Sequence, residues 1–232
     1  MDLKFRKASG IYKIIRENKY FLLPFIISIS LLSALLGIYG NERLFLHLNG
    51  FHSKFADFFF LISTNLGDGI IAFFLVVILL WVSFRDALTF LGITILITIA
   101  VTILKNVFFP EFYRPVAYFE YTEVVRLVTG YDPPMYCTFP SGHSATAFSV
   151  YFYLAILSKK QIVKLFLFVV ALLVAYSRIY LSAHFPEDVV VGSAIAVSIT
   201  ILCYYLGQQL KSERLNKKLV FKPNISVRQL PI

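Results

Sequence analysis

Residues 177–188 have the sequence Ser177-Arg178-Ile179-Tyr180-Leu181-Ser182-Ala183-His184-Phe185-Pro186-Glu187-Asp188 and separate two long apolar runs, residues 161–177 and 189–210. Ionisable side chains at the edge of a membrane span are costly to place, so they usually mark a transport pathway or a functional site. Proline suits the first position of a helix. If a helix begins near Pro186, Asp188 can reach back to one imidazole nitrogen of His184 and leave the other nitrogen free to attack. The segment therefore predicts an oriented histidine between two helices.

The composition is typical of an integral membrane protein. Of the 232 residues, 58% are hydrophobic and only 15% are charged, and the mean hydropathy is +0.75. These values argue against a soluble fold. The two cysteines, Cys137 and Cys203, do not indicate a disulfide framework, because Cys203 falls inside an apolar run.

The net charge of +9 comes mainly from two basic blocks at the ends of the chain, residues 1–19 and 211–232. A nucleic-acid surface would interleave basic and aromatic side chains, and these blocks do not. Basic clusters beside apolar spans are typical of topology signals that meet anionic lipid headgroups. We therefore expect membrane lipids, and no nucleic acid, as partners.

Six apolar runs predict six transmembrane helices. They are residues 20–40, 69–84, 87–104, 144–158, 161–177 and 189–210. The first run is longer than the apolar region of a signal peptide, and no clear Ala-x-Ala site follows it, so we expect a retained span. Residues 41–68 alternate polar and aromatic side chains, which predicts an interfacial, partly helical segment. The expected fold class is an all-α polytopic membrane protein.

The domain organisation that we expect is a single membrane domain over residues 1–232. It consists of a core, residues 20–210, between the two basic tails. Six spans place both tails on one side of the membrane, and their excess of Lys and Arg, together with Lys159 and Lys160, identifies that side as cytoplasmic. The polar segments 105–143 and 178–188 then share the outer face of a cytoplasmic membrane.

Three polar clusters meet on this outer face. They are Lys105 with Arg114-Pro115, then Pro140-Ser141-Gly142-His143, then Ser177-Arg178 with His184 and Asp188. Ser141 and Gly142 are expected to open a helix, whose unpaired N–H groups and positive dipole end would bind an anion. The cationic side chains supply charge-assisted donors for the oxygens of a phosphoryl group. Two histidines can then divide the proton and nucleophile work.

Other interpretations of these residues are possible one residue at a time. Arg114 and Arg178 could extend to the membrane interface without a ligand, but their polar partners make this less attractive. Two histidines and one aspartate could bind zinc. An arginine and a lysine that converge on the same spot would oppose a cation, so no metal site is predicted.

These residues resemble the type 2 phosphatidic acid phosphatase (PAP2) family, which shares its site with vanadium haloperoxidases. The resemblance covers roughly the last two-thirds of the spans. The family's second motif, Pro-Ser-Gly-His, matches residues 140–143, and its third, Ser-Arg-x5-His-x3-Asp, matches residues 177–188. The first motif departs, since eight residues separate Lys105 from Arg114 where the family has six. The two extra residues could loop out near Pro110.

The resemblance implies a mechanism without a cofactor. His184 would attack phosphorus and form a phosphohistidine, and Asp188 would fix the tautomer of the imidazole. His143 would protonate the departing alkoxide and then serve as base toward water. The phosphoryl oxygens would be bound by Lys105, Arg114, Ser141, Gly142 and Arg178.

The expected reaction is therefore removal of phosphate from a membrane lipid. Undecaprenyl diphosphate, phosphatidylglycerophosphate, phosphatidic acid and lipid A all remain open as substrates. A phosphotransferase is an alternative, because a phosphohistidine can react with an alcohol instead of water. A lipid-phosphate transporter without catalysis is a weaker alternative, since all the candidate ligands lie at one face of the membrane. The sequence indicates no oligomeric state.

Overall fold

The computed structural model describes residues 2–120, 125–210, 212, 215, 217 and 219, and the regular elements in this part of the chain are all helical. The predicted all-α membrane fold is confirmed. Most of the expected C-terminal tail, residues 211–232, lies outside the described residues. The helices are α1 (Asp2–Glu17), α2 (Lys19–Tyr39), α3 (Asn41–Asn49), α4 (Lys54–Asn65), α5 (Gly69–Leu80), α6 (Phe84–Ile103), a π-helix (Leu104–Phe108), α7 (Pro115–Tyr118), α8 (Gly142–Leu157), α9 (Gln161–Tyr180) and α10 (Pro186–Gln209).

Four of these segments are long and apolar enough to cross a membrane: α2, α6 with the π-helix, α9 and α10. The pair α4 and α5, which is bent by 48°, would make a fifth as one broken span. The protein is thus a multi-pass membrane protein. The one remaining predicted span, residues 144–158, corresponds to α8, which has 16 residues. At a rise of 1.5 Å per residue that is about 24 Å, less than the roughly 30 Å of a bilayer core, so a count of six stays a prediction.

Helix α8 is the centre of the packed core. It is buried along most of its length and packs against α6, α9 and α10. Phe148 and Phe152 meet Phe21 of α2, with ring centroids 6.3 Å and 4.9 Å apart. A helix that is apolar on all sides belongs inside a bundle. The residues at its first turn are therefore carried on a rigid element.

The connection between α4 and α5 presses on the start of α8. A Cβ atom added to Gly67 would lie 3.0 Å from the carbonyl oxygen of His143 and 2.5 Å from Val174. Only glycine permits so close an approach of two backbones. The segment 41–68, which was predicted to be interfacial and partly helical, contains α3 and α4. Helix α4 is the first half of the bent pair.

The turn before α6 differs from the prediction. The predicted spans 69–84 and 87–104 leave Arg85-Asp86 between them, but this pair lies in the first turn of α6, and residues 81–83 make the turn. Both charges are satisfied there. Arg85 donates to the carbonyl of Gly207 at 2.7 Å, and Asp86 accepts from Tyr153 at 3.1 Å. Charged side chains with such partners are compatible with a helix start, which the sequence pattern alone does not reveal.

Candidate active site

His184 lies in the short segment between α9 and α10. Its backbone N–H and that of Ala183 both donate to the carbonyl of Arg178, at 3.1 Å and 3.0 Å. Asn49 of α3 supports the same turn, because its Nδ2 is 3.0 Å from each of the carbonyl oxygens of Ile179 and Tyr180. These are terminal carbonyls of α9, which need such partners. The turn therefore fixes His184 relative to Arg178.

Asp188 occupies the first turn of α10, which begins at Pro186 as the sequence predicts. Its Oδ2 lies 3.1 Å from Nδ1 of His184 and accepts a hydrogen bond from the backbone N–H of Phe185 at 2.9 Å. Thr138 also donates to this oxygen. His184 and Asp188 are each only 2% exposed. The pair is thus buried, and Nε2 is the imidazole nitrogen that faces away from the carboxylate.

Arg114 covers this second nitrogen. Its Nη1 is 3.4 Å from Nε2 of His184 and donates to the carbonyl of Ala183 at 3.0 Å. Its Nε donates to the carbonyl of Tyr136 at 3.0 Å. The guanidinium is therefore held by backbone oxygens from two segments, next to the nitrogen that would attack.

Lys105 reaches the same place in spite of its longer spacing to Arg114. It lies in the π-helix, where Phe109 N–H donates to the carbonyl of Leu104 at 2.9 Å, and its Nζ donates to the carbonyl of Cys137 at 2.8 Å. A π-helical turn takes in more residues than an α-helical turn and is frequent at functional sites. The interval between Lys105 and Arg114 thus contains most of the π-helix and a turn at Pro110.

Arg178 is buried and held by two neutral side chains. Its Nη1 donates to Oγ1 of Thr64 at 2.5 Å, and its Nη2 donates to the hydroxyl of Tyr131 at 2.6 Å. Its Nε has no hydrogen-bond partner among the described residues. A buried donor without a partner is unfavourable, and a ligand oxygen would satisfy it.

Ser141 and Gly142 begin α8 as predicted. Ser141 caps the helix, since its Oγ accepts from the N–H of Ser144 at 3.3 Å. Its own N–H donates to the carbonyl of Asp188 at 3.0 Å, which ties the start of α8 to the start of α10. Gly192 makes this approach possible, because a Cβ there would lie 2.4 Å from the carbonyl oxygen of Ser141. The helix end and the histidine–aspartate pair therefore form one unit.

The next residue, His143, is half-buried at the first turn of α8. Its ring has no hydrogen-bond partner among the described residues, in contrast to the ring of His184. The ring is thus available to exchange a proton with a ligand.

The electrostatics favour a neutral His184. Burial lowers its pKa well below the ordinary value, and the nearby charges of Arg114, Arg178 and Lys105, with His143, lower it further. Burial also lowers the pKa of Arg114, and the charge of Arg178 adds to that effect. The three cations therefore converge on one imidazole and keep it unprotonated, which is the form that can act as a nucleophile.

The three cations also lack acidic partners. Within the described part of the chain, no carboxylate lies within 4.0 Å of Lys105, Arg114 or Arg178. Buried cations without a counter-ion are unfavourable unless a ligand neutralises them. No group of three His, Cys, Asp or Glu side chains in the described residues is arranged to hold a metal ion. The arrangement favours an anion.

Sequence reasoning located the eight candidate residues and missed four neutral side chains that hold them. The structure brings all eight candidate residues to one end of the helical bundle. The neutral side chains that hold them are Asn49, Thr64, Tyr131 and Thr138. None of the four carries a charge, and none lies in a motif. Only Thr138 could have been suspected from the sequence, because it lies two residues before the Pro-Ser-Gly-His motif that begins at Pro140.

Comparison with known proteins points to one family. The model of the PAP2 superfamily matches residues 86–212. A lipid A 4'-phosphatase of Porphyromonas gingivalis is 30% identical over 169 residues, 71% of each chain. A lipid A 4'-phosphatase of Bacteroides thetaiotaomicron is 28% identical over 181 residues, which are 73% of this chain and 78% of that one.

Two solved structures share the fold. The crystal structure of Aquifex aeolicus LpxE superposes with a TM-score of 0.63 at 32% identity and covers 71% of this chain and 94% of that chain. A PAP2-type phosphatidylglycerolphosphate phosphatase from Bacillus subtilis superposes with a TM-score of 0.53 at 22% identity, over 84% of this chain and all of that one, and this second likeness concerns the fold alone. The chain therefore belongs to the PAP2 superfamily and is a membrane lipid phosphatase of that family.

Proposed function

We propose that the protein removes a phosphate monoester group from lipid A through a phosphohistidine on His184. One observation carries the proposal. Arg114 and Arg178, which are buried, and Lys105, which is half-buried, have no acidic partner in the described part of the chain. They surround a buried, neutral imidazole whose Nδ1 faces a carboxylate. Cations aimed at one point stabilise the charge that develops on a phosphoryl group during transfer.

The first step forms a bond between Nε2 of His184 and phosphorus and breaks the bond from phosphorus to the lipid oxygen. Arg114 now lies 3.4 Å from Nε2, so its Nη1 must turn from the nitrogen to a phosphoryl oxygen when the substrate enters. Lys105 and Arg178, with the N–H groups of Ser141 and Gly142, bind the remaining oxygens.

His143 donates a proton to the leaving oxygen and then takes one from the attacking water. That water breaks the Nε2–phosphorus bond and releases inorganic phosphate. Asp188 balances the positive charge of the imidazolium while the phosphoryl group is attached. No cofactor takes part in these steps.

Lipid A is the favoured substrate among the four predicted lipids. Both curated relatives bear the name lipid A 4'-phosphatase, and each is matched over more than two-thirds of its length. We therefore assign the 4'-phosphate of lipid A as the group removed.

The sidedness follows from charge. Both basic tails are assigned to the cytoplasm by the excess of Lys and Arg, which leaves the site at the outer face of the cytoplasmic membrane. The single domain then comprises residues 1–232, with the tails on one side of the membrane and the site on the other.

One assay tests the proposal. Purified protein in detergent is offered lipid A, phosphatidic acid, phosphatidylglycerophosphate and undecaprenyl diphosphate, and free phosphate is measured. We expect the highest kcat/KM for lipid A, with the 4'-phosphate lost, and no turnover by the His184→Ala variant. Preference for another lipid would overturn the substrate assignment. Equal turnover by His184→Ala and the parent protein would overturn the assignment of His184 as the nucleophile.

A further inference from the structure

Thr138 contacts the histidine–aspartate pair from a different part of the chain. Its Oγ1 is 3.2 Å from Nδ1 of His184 and donates a hydrogen bond to Oδ2 of Asp188. The residue is only 2% exposed. Water therefore does not compete for these contacts, and hydrogen bonds to a charge are strong in such surroundings.

The donors and acceptors at this point allow one arrangement of protons. An ionised carboxylate can only accept, and a hydroxyl has one proton to donate. Thr138 therefore gives its proton to Asp188 and turns a lone pair toward Nδ1 of His184. These contacts are all favourable when Nδ1 carries the ring proton. In the other tautomer, the lone pair of Nδ1 would face the ionised carboxylate of Asp188 at 3.1 Å.

We propose that Thr138 is a positioning residue that fixes the tautomer of His184 whose Nε2 lone pair attacks phosphorus. The proposal rests on the function proposed above and deepens it. Thr138 exchanges no proton with the substrate. It acts through Asp188 and His184, so its loss is expected to slow the chemical step and leave phosphate binding intact.

The backbone beside Thr138 gives the residue a second link to the site. The carbonyl of Cys137 accepts from Lys105 at 2.8 Å, and the carbonyl of Tyr136 accepts from Arg114 at 3.0 Å. The side chain of Thr138 thus joins the segment that holds two cations to the pair that holds the nucleophile. A phosphoryl group drawn by those cations is brought into line with Nε2, and such alignment contributes strongly to rate.

The test compares Thr138→Val, which keeps the shape and loses the hydroxyl, with Thr138→Ser, which keeps the hydroxyl. Thr94→Val is the matched control, since Thr94 is a half-buried threonine of α6 whose hydroxyl donates to the carbonyl of Leu91 in its own helix. The probes are lipid A, the soluble ester p-nitrophenyl phosphate, and inorganic phosphate as a competitive inhibitor. The inhibition constant of phosphate reports the anion site without any chemistry.

We expect Thr138→Val to lose about ten- to hundredfold in kcat, the rate equivalent of one hydrogen bond to a buried charge, with KM and phosphate inhibition unchanged. Thr138→Ser and Thr94→Val should keep most of the activity. If Thr138→Val does not fold, Thr138→Ala replaces it in the comparison.

Three outcomes would overturn the proposal: full kcat in Thr138→Val, an equal loss in Thr138→Ser, or weakened phosphate inhibition in Thr138→Val. The last would mean that Thr138 merely holds the loop in place. If the parent protein cleaves the soluble ester and not lipid A, the assignment of lipid A as substrate is refuted. The comparison of the Thr138 variants then remains valid with the soluble ester. A parent protein that cleaves neither would refute both proposals.

Discussion

Nη1 of Arg114 lies 3.4 Å from Nε2 of His184, on the nitrogen that the proposed mechanism uses for attack. The same guanidinium donates to the carbonyls of Ala183 and Tyr136. Arg114 therefore lies directly beside the proposed nucleophile, within reach of a phosphoryl oxygen bound there. A planar fork with five donors can keep its backbone contacts while one N–H turns to the substrate.

This geometry predicts that lysine cannot replace Arg114. A lysine keeps the charge, but its three donors share one nitrogen, which cannot reach the carbonyls of two segments and a phosphoryl oxygen at the same time. We expect Arg114→Lys to lower kcat/KM by about a hundredfold or more, the scale found when one preorganised oxyanion donor is lost. Free phosphate from lipid A measures the change. Arg16→Lys, on the exposed surface of α1, should match the parent protein, and near-parent activity of Arg114→Lys would contradict the role.

A second prediction separates activity from stability at Gly142. Among the described residues, a Cβ added there would meet only Val101, at an ordinary contact distance of 3.8 Å. Packing does not require glycine, and alanine is the better helix former by roughly 1 kcal/mol. We expect Gly142→Ala to keep or raise the thermal stability and to lose activity, because its methyl group occupies space that the proposed phosphate needs.

Gly192→Ala is the control for these measurements of thermal stability and activity. Its Cβ would lie 2.4 Å from the carbonyl oxygen of Ser141, so this variant should lose stability and activity together. Parent-level activity in Gly142→Ala would remove Gly142 from the phosphate site.

The pKa of His184 leads to a prediction about pH. Burial and the nearby cations place that pKa well below 6.5. His184 therefore stays neutral as the pH falls through 6.5, and the acid limb of kcat/KM that belongs to it should lie well below that value. Arg114→Gln removes one of the lowering charges and should move the limb to higher pH, whereas Arg114→Lys should leave it in place. An unmoved limb in Arg114→Gln would contradict the assignment.

The same shift affects stability. Below pH 6.5 the unfolded chain takes up a proton on His184 and the folded chain does not. Stability should consequently fall as the pH drops below that value. His184→Ala lacks this contribution, so its thermal midpoint should depend less on acid pH than that of the parent protein.

The sequence identifies the charged candidate residues of the site, but not the neutral side chains that hold them in place. Charged residues in a membrane protein are conspicuous because they are costly, and this drew attention to Arg178 and His184. Asn49 and Thr64 are as essential to the geometry, yet they lie 130 and 114 residues from their partners on α9. Such contacts depend on how helices pack, and no local pattern encodes them. The turn at residues 81–83 is not evident from the apolar runs 69–84 and 87–104 for the same reason, since distant partners satisfy Arg85 and Asp86.

A further prediction concerns metals. The proposed steps use only side chains and backbone N–H groups, so activity should persist in excess EDTA. Vanadate should inhibit, because an arginine-lined anion site binds a trigonal-bipyramidal mimic of the transition state. Phosphate release is measured with each reagent. Loss of activity on chelation that zinc or magnesium restores would contradict the proposed mechanism.

The last prediction tests the sidedness. Thr129 is exposed and lies near the active-site end of α9, whereas the carbonyl of Lys217 accepts from the N–H of Phe84 at 2.9 Å, at the turn before α6. In a Cys137→Ser Cys203→Ala background, Thr129→Cys should react with a membrane-impermeant thiol reagent in intact spheroplasts, and Lys217→Cys should react only after lysis. The background is needed because Cys137 is only half-buried and would label as well. Labelling of Lys217→Cys alone in intact spheroplasts would place the phosphatase site in the cytoplasm and exclude lipids of the outer leaflet. The chemistry proposed for His184 would then stand unchanged, with a different pool of substrate.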